Sequence, residues 1–114
     1  MDELVRWLDE QLTADTARAQ ACPGNGKWDT EGIAFYAPDL SPQVREHIVE
    51  HDPARVLREI DASRDLLGRY KAMAAGVLVM TGVESILSEY RRVILPNLAL
   101  RYADRPGYRE EWRP

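Results

Sequence analysis

The chain has 114 residues, of which 45% are hydrophobic and 30% are charged, and its formal net charge at pH 7 is −4. This composition excludes a disordered chain and is typical of one folded domain of ordinary size. The acidic balance disfavours nucleic-acid binding unless the basic residues gather on a separate face. We therefore expect one small domain over residues 1–114.

The cysteine and the apolar stretches indicate the compartment. Cys22 is the one cysteine, which fits a reducing cytoplasm, and the acidic N-terminus lacks the features of a secretory signal. The most apolar stretch, Ala72 to Val83, contains two glycines and is too short to cross a bilayer. We interpret it as buried core and expect no membrane partner.

The first predicted helix covers residues 2–21. Leu4, Leu8 and Leu12 recur every four residues, which places them on one helix face. Asp2 is the predicted N-cap, and a cluster of proline and glycine after residue 21 ends the helix.

Residues 22–40 are the irregular part of the chain. A short β-hairpin over residues 28–36 is possible from the sequence, but isolated hairpins are marginally stable, so it would have to pack against the helices. Ser41-Pro42 then predicts a short helix over residues 42–50, because a hydroxyl N-cap followed by proline is a strong helix start.

Asp52 is predicted to cap a long helix that has Pro53 at its first position and continues to about residue 80, with a break near Gly82. Its apolar positions alternate steps of four and three. They are Val56, Ile60, Ser63, Leu67, Tyr70, Ala74 and Val77, and Leu57, Leu66, Met73 and Met80 widen this stripe.

A further helix is predicted over residues 83–101, where Pro96 should kink it. Its apolar face consists of Val83, Ile86, Leu87, Tyr90, Ile94 and Leu98. The aromatic tail after residue 101 should pack back onto the helices. The predicted fold is all-α or nearly so, a small bundle of three main helices plus one short helix. Its two longest helices should be antiparallel, the first helix should lie across them, and the tail should close one end.

Two segments resemble a known family. They are HIVEHDPARVLRE (His47–Glu59) and LALRYADRPGYREEWRP (Leu98–Pro114), and the MDELV opening and Trp28 fit the same pattern. They resemble the short actinobacterial and actinophage proteins of domain of unknown function family 6221. The resemblance spans most of the chain and implies no activity, since that family is known by sequence alone.

Many members of that family carry a Cys-x-x-Cys element between the long helix and the tail, which looks like half a zinc site. In this chain, residues 72–88 occupy that place with apolar residues at helical spacing and no cysteine. We interpret core packing as the replacement for a metal staple, and we predict no cofactor.

Two groups of residues could carry chemistry. His47 and His51, four residues apart, could bind a transition metal with Glu50 or Asp52, but the sequence has no further histidine, so a surface and capping role is favoured. Cys22 could be a nucleophile, and the turn at residues 24–27 could cradle a phosphate. Neither has the partners or spacing that the chemistry needs, so we predict no enzyme.

Arginine and lysine are frequent after residue 52. They are Arg55, Arg58, Arg64, Arg69, Lys71, Arg91, Arg92, Arg101, Arg105, Arg109 and Arg113. A basic patch at Arg55, Arg58, Arg91 and Arg92 could bind nucleic acid, which gives the alternative function of a nucleic-acid-associated regulator. Interleaved acids favour a solvated face of ion pairs instead.

The favoured function is a non-enzymatic protein-interaction or regulatory module, related to phage proteins, that binds a protein partner or forms a homo-oligomer such as a dimer. The candidate interaction face is the helical stripe with an aromatic anchor: Val56, Ile60, Leu67, Tyr70 and Trp112. The alternative is that the same stripe packs within its own chain. Trp7 and Trp28 are either core residues or surface anchors.

Overall fold

The computed structural model describes all residues from 1 to 114 and contains helices but no strand, so the all-α prediction is confirmed. The helices are α1 (Asp2–Gln20), α2 (Thr30–Tyr36), α3 (Pro42–Glu50), α4 (Pro53–Ala74), α5 (Val83–Glu89), a π-helical segment (Tyr90–Ile94) and α6 (Leu95–Leu100), followed by a 3₁₀ turn at Glu110–Trp112. None of these helices is sufficiently long and apolar to span a bilayer. The arrangement of the helices as a bundle stays a prediction.

The chain divides into two compact units. Unit 1 comprises Met1–Thr13 and Ala62–Pro114, and unit 2 comprises Ala14–Asp61. The boundaries between the units fall within α1 and α4. The single-domain prediction is not tested by this division and stays a prediction.

The predicted leucine face of α1 is the centre of the core of unit 1. Leu4, Leu8 and Leu12 are completely buried, and burying each such side chain contributes roughly 1.5–3 kcal/mol. The helix begins at Asp2 itself, and the Met1 carbonyl accepts the hydrogen bond from the Val5 N–H. The prediction of Asp2 as N-cap is therefore wrong by one residue, since Asp2 already belongs to the first turn.

The aromatic tail packs against Trp7, as predicted. The ring centroids of Tyr108 and Trp112 lie 5.6 and 5.5 Å from that of Trp7, and the Tyr102 ring lies edge-on at 6.4 Å. The Trp7 indole also donates a hydrogen bond to the Pro106 carbonyl. Stacking and this hydrogen bond together hold the end of unit 1 against α1.

The predicted helix over residues 83–101 is present as one continuous run of α5, the π-helical segment and α6. The predicted kink at Pro96 stays a prediction, but a π-helical segment directly precedes this region, and in it the Leu95 N–H donates to the Tyr90 carbonyl. Proline cannot donate a backbone hydrogen bond in a helix interior, and a change of helical pitch is one way to accommodate it.

The long helix ends earlier than predicted, at Ala74 instead of about residue 80. Gly76 adopts a φ of 75°, the Gly76 N–H donates to the Met73 carbonyl, and the Val77 N–H donates to the Ala72 carbonyl. These two hydrogen bonds form a Schellman motif, which satisfies the last carbonyls of a helix when glycine follows it.

This early end contradicts the interpretation of Ala72–Val83 as buried core. Val77 is 82% exposed and Val79 is 77% exposed, although Met73 is buried. The left-handed turn at Gly76 ends the helical period, so the side chains beyond it no longer follow the buried face of α4. The apolar residues of this stretch therefore do not replace a metal staple by core packing.

In unit 2, α2 occupies the region where the sequence left open a β-hairpin, so that alternative is wrong. The Asp29 carboxylate accepts a hydrogen bond from the Gly32 N–H at 2.7 Å and caps the helix. The predicted start of α3 is confirmed, because the Ser41 hydroxyl accepts from the Val44 N–H. Neither α2 nor α3 contains a buried residue.

We expect Gly107→Ala to destabilise the protein by about 1–3 kcal/mol more than Gly24→Ala. Both glycines have positive φ, 89° and 81°, so both substitutions strain the backbone. Only at Gly107 would a Cβ also meet a neighbour, 2.7 Å from the Trp7 Nε1, whereas nothing lies within 4 Å at Gly24. Urea unfolding of the two variants measures this difference, and equal midpoints would contradict close packing against Trp7.

Candidate functional site

A carboxylate at the start of α4 organises the loop of unit 2. One oxygen of Asp52 accepts from the Arg55 N–H at 2.9 Å and caps α4 as predicted, and the other accepts from the Trp28 N–H at 3.2 Å. These two donors, that of Arg55 first, hold the pKa of the Asp52 carboxyl below its ordinary value of 3.8. Trp28 therefore has a fixed position beside α4, and Asp29, the cap of α2, follows it directly.

The glycine turn at residues 24–27 supports the same junction. Gly26 is buried with a φ of 77°, and its carbonyl accepts from the Ala54 N–H in the first turn of α4. The Asn25 side chain accepts from the Lys27 N–H at 2.9 Å. The turn that the sequence analysis considered as a phosphate cradle is thus connected to α4 through the Gly26 carbonyl and is closed internally by the Asn25 side chain.

A cleft of about 270 Å³ has Cys22, Trp28 and His51 among its lining residues, and His51 is distant in the sequence from the other two. The Cys22 thiol, which is half-buried, lies 3.6 Å from the Arg18 carbonyl and donates to it. A backbone carbonyl does not take up a proton, so this contact is not the nucleophile–base pair that thiol catalysis needs.

His47 lies in the last turn of α3, whereas His51 is the C-cap residue that directly follows this helix. Their ring centroids lie 4.3 Å apart, and the His51 Nδ1 is 2.9 Å from the His47 carbonyl oxygen. No group of three histidine, cysteine, aspartate or glutamate side chains with metal-binding geometry occurs in the chain. The two imidazoles therefore have no third side-chain ligand nearby, and a structural zinc site needs four ligands.

The residues of the predicted basic patch are divided between the units. Arg55 and Arg58 belong to unit 2, where Arg55 pairs with Glu59 and its guanidinium donates to the Glu50 carbonyl. Arg91 and Arg92 belong to unit 1, where Arg91 donates to the Tyr70 hydroxyl and Arg92 pairs with Glu89. Three of these four side chains are thus held by groups of their own unit.

The arginines of the tail lie against aromatic rings of unit 1. Arg105 lies 4.6 Å from the Tyr102 ring centroid, and Arg109 lies 5.4 Å from that of Trp112. Arg101 and Arg113 take corresponding positions over Tyr102 and Tyr108. In these cation–π contacts the guanidinium groups pack against aromatic rings of their own unit.

The helical stripe proposed from sequence as an interaction face is largely core. Ile60, Leu67 and Tyr70 are buried, and Val56 is half-buried. Trp112 is half-buried and packs against Trp7. These side chains already pack within the chain, so in this conformation the stripe offers little surface to a partner.

The structure instead exposes an aromatic pair on α2 that the sequence analysis missed. Phe35 is 80% exposed and Tyr36 is 85% exposed, and their rings meet edge to face at a centroid distance of 5.1 Å. The sequence signal for this pair was present, because Asp29 is a good N-cap for a helix containing both residues. The β propensity of the same segment pointed to a strand instead.

Acidic residues are concentrated in the same unit. Unit 2 contains nine acidic and five basic residues, which gives it a formal charge of −4, whereas unit 1 contains ten of each and is neutral. Residues 29–50, which include α2 and α3, contain five acidic residues and one arginine. The exposed aromatic pair therefore lies in the segment that carries the whole surplus negative charge of unit 2.

The comparison with known families gives a match over the whole chain. The model of the Family of unknown function (DUF6221) matches residues 1–114. The chain belongs to the DUF6221 family. The resemblance noted in the sequence is thereby confirmed. No curated protein and no solved structure matches the chain.

Membership in DUF6221 assigns no activity, so the candidate site of this DUF6221 protein depends on its own geometry. We call the exposed surface formed by α2 and α3 the aromatic–acidic surface, defined by Phe35, Tyr36, Glu31 and Glu46. This surface combines exposed aromatic side chains, which are enriched at protein interfaces, with negative charge, which favours positively charged partners. Asp52 holds the loop that precedes α2 through its hydrogen bond with the Trp28 N–H.

We expect Asp52→Asn to destabilise the protein at neutral pH, and we expect this destabilisation to shrink as the pH falls below the ordinary carboxyl pKa of 3.8. An amide offers one acceptor oxygen, so either the Trp28 or the Arg55 hydrogen bond is weakened. Because the folded protein lowers the pKa of Asp52, this stability is present above the ordinary pKa and is lost as the pH falls through the lowered value.

Thermal unfolding of wild type and Asp52→Asn across this pH range tests the prediction. Asp61→Asn, in the exposed middle of α4, is the control for the change of charge. A stability difference that is the same at neutral and acidic pH would show that the ionised carboxylate is not what holds the junction.

Proposed function

We propose that this DUF6221 protein is a non-enzymatic protein-interaction module that binds its partner through the aromatic–acidic surface. The observation that carries the proposal is the exposure of Phe35 and Tyr36, adjacent aromatic side chains that leave most of their area in water. Aromatic residues are enriched at binding hot spots because they bury a large area with few rotatable bonds.

The surroundings of this pair favour a binding role over a structural one. α2 has no buried residue, so Phe35 and Tyr36 do not anchor it in a core. Substituting them should therefore leave the fold almost unchanged, while a partner would gain the burial energy that folding does not use. That burial is worth roughly 1.5–3 kcal/mol for a phenylalanine-sized side chain.

The absence of enzymatic activity is part of the proposal. The cleft at Cys22 pairs the thiol with a carbonyl, and the paired histidines have no third side-chain ligand. A regulatory role through binding needs neither group.

We expect Phe35→Ala/Tyr36→Ala to lose at least about tenfold in affinity for the partner, while the free energy of unfolding changes by less than about 0.5 kcal/mol. Alanine favours the helix, so α2 should be retained. The measurement is quantitative affinity capture from cells of the source organism, followed by a binding assay with the captured protein and a thermal melt of the variant.

Val77→Ala/Val79→Ala is the matched control, because these side chains are also apolar and about as exposed but belong to unit 1. This control should capture the same protein as wild type. If Phe35→Ala/Tyr36→Ala captures that protein equally well, α2 is not the contact surface and the proposal fails.

A further inference from the structure

A cleft lies between α2 and α3, and its lining residues Glu31 and Ala34 precede Phe35 in α2 by four residues and one residue. Its volume is about 290 Å³, roughly ten times the share of liquid volume that one water occupies. It is lined by Thr30, Glu31, Ala34, Pro42, Arg45 and Glu46. A cleft of this size admits one long side chain but not a whole cofactor.

The two carboxylates of this cleft are not used by the fold. Glu31 and Glu46 are exposed, and neither takes part in an ion pair or a side-chain hydrogen bond. Elsewhere in unit 2, Asp29 caps α2 and Asp52 caps α4. Glu31 and Glu46 are therefore available to a positively charged group from outside the chain.

The arginine of the cleft does not neutralise this site. The Arg45 guanidinium donates to the Pro38 carbonyl at 2.8 Å, and its Nε is buried without a partner. This hydrogen bond holds Arg45 against the connection between α2 and α3. With one guanidinium and two carboxylates, the cleft retains a surplus negative charge, and so does the segment around it.

The exposed rings also have no cation of their own. In unit 1, arginines lie over Tyr70, Tyr102, Tyr108 and Trp112. No arginine or lysine lies over Phe35 or Tyr36, whose one ring contact is with each other. Phe35 follows Glu31 by four residues in α2, which places both side chains on neighbouring positions of one helix side, where a guanidinium is attracted by the ring quadrupole and by the charge.

We propose that the partner of the aromatic–acidic surface is a cationic protein segment whose arginine or lysine enters the cleft between Glu31 and Glu46 while an apolar neighbour packs on Phe35 and Tyr36. This inference rests on the proposed function and names the partner class for the same surface. Charge complementarity selects a basic segment and disfavours nucleic acid, because phosphates would meet uncompensated carboxylates.

The test uses the full chain labelled with ¹⁵N and three short synthetic peptides in a glycine–serine background. The first carries three arginines and two leucines, the second replaces arginine with the neutral isostere citrulline, and the third replaces it with glutamate. The arginine peptide should shift the amide signals of residues 29–50, and the citrulline peptide should bind at least about tenfold more weakly.

Two pairs of substitutions separate the cleft from the overall charge. Glu31→Gln/Glu46→Gln should weaken binding of the arginine peptide by about tenfold and reduce its salt dependence. The control Glu10→Gln/Asp61→Asn changes the net charge by the same amount at other exposed positions and should bind within about twofold of wild type. Circular dichroism melts confirm that all variants are folded.

The inference is overturned if the arginine peptide causes no shifts at residues 29–50, if the citrulline or glutamate peptide binds equally well, or if a single-stranded oligonucleotide binds this surface more tightly. Self-association that needs Phe35 and Tyr36 would also overturn it, because the occupant would then be a second copy. If the inference fails while Phe35→Ala/Tyr36→Ala still loses a captured protein, the interaction function stands and only the partner class is wrong.

Discussion

The exposed surface of unit 2 depends on the hydrogen bonds of one carboxylate. Asp52 uses its two oxygens in different directions, one toward the first turn of α4 and one toward the backbone of Trp28. α2 begins two residues after Trp28 and has no buried side chain. The position of α2 therefore depends on the hydrogen bond that holds the preceding loop at Trp28. The Gly26 carbonyl accepts a second hydrogen bond from α4, and a Cβ at Gly26 would crowd the Ala54 nitrogen and the Pro53 Cβ at 3.1 and 3.2 Å.

This arrangement explains how a short helix can present large apolar side chains without a core beneath it. Seven residues are too few to form a stable helix alone, so α2 needs its Asp29 cap, its packing against α3 and the fixed loop. A segment with little burial belongs to the part of a protein that opens most easily. Binding at Phe35 and Tyr36 would add the apolar burial that α2 lacks and would therefore stabilise it.

The sequence predicts the fold well where local chemistry decides. The caps at Ser41 and Asp52 and the buried spacing of Leu4, Leu8 and Leu12 are all visible as residue patterns, and the structure contains each of them. The family was likewise identified from two segments. In these cases a short pattern of residue types along the chain suffices for the prediction.

The errors occur where two local signals compete or where exposure depends on the tertiary fold. Residues 33–36 have strand propensity, but the Asp29 cap and the packing against α3 favour a helix. The helical spacing continues past Ala74, yet Gly76 ends the helix, and periodicity alone cannot show that a glycine adopts positive φ. The candidate site was missed for the same reasons, because the sequence pointed to the apolar stripe of α4, which the fold buries.

The two units use aromatic rings in opposite ways, and this contrast gives the strongest argument about what binds. In unit 1 the rings of Tyr102, Tyr108 and Trp112 pack on one another or on Trp7, and arginines of the same unit lie over them. In unit 2 the rings of Phe35 and Tyr36 face water, and residues 29–50, which contain them, include five acidic residues and one arginine. A partner with arginine and apolar residues would supply at α2, from outside, the apolar packing and the positive charge that unit 1 provides for its own rings.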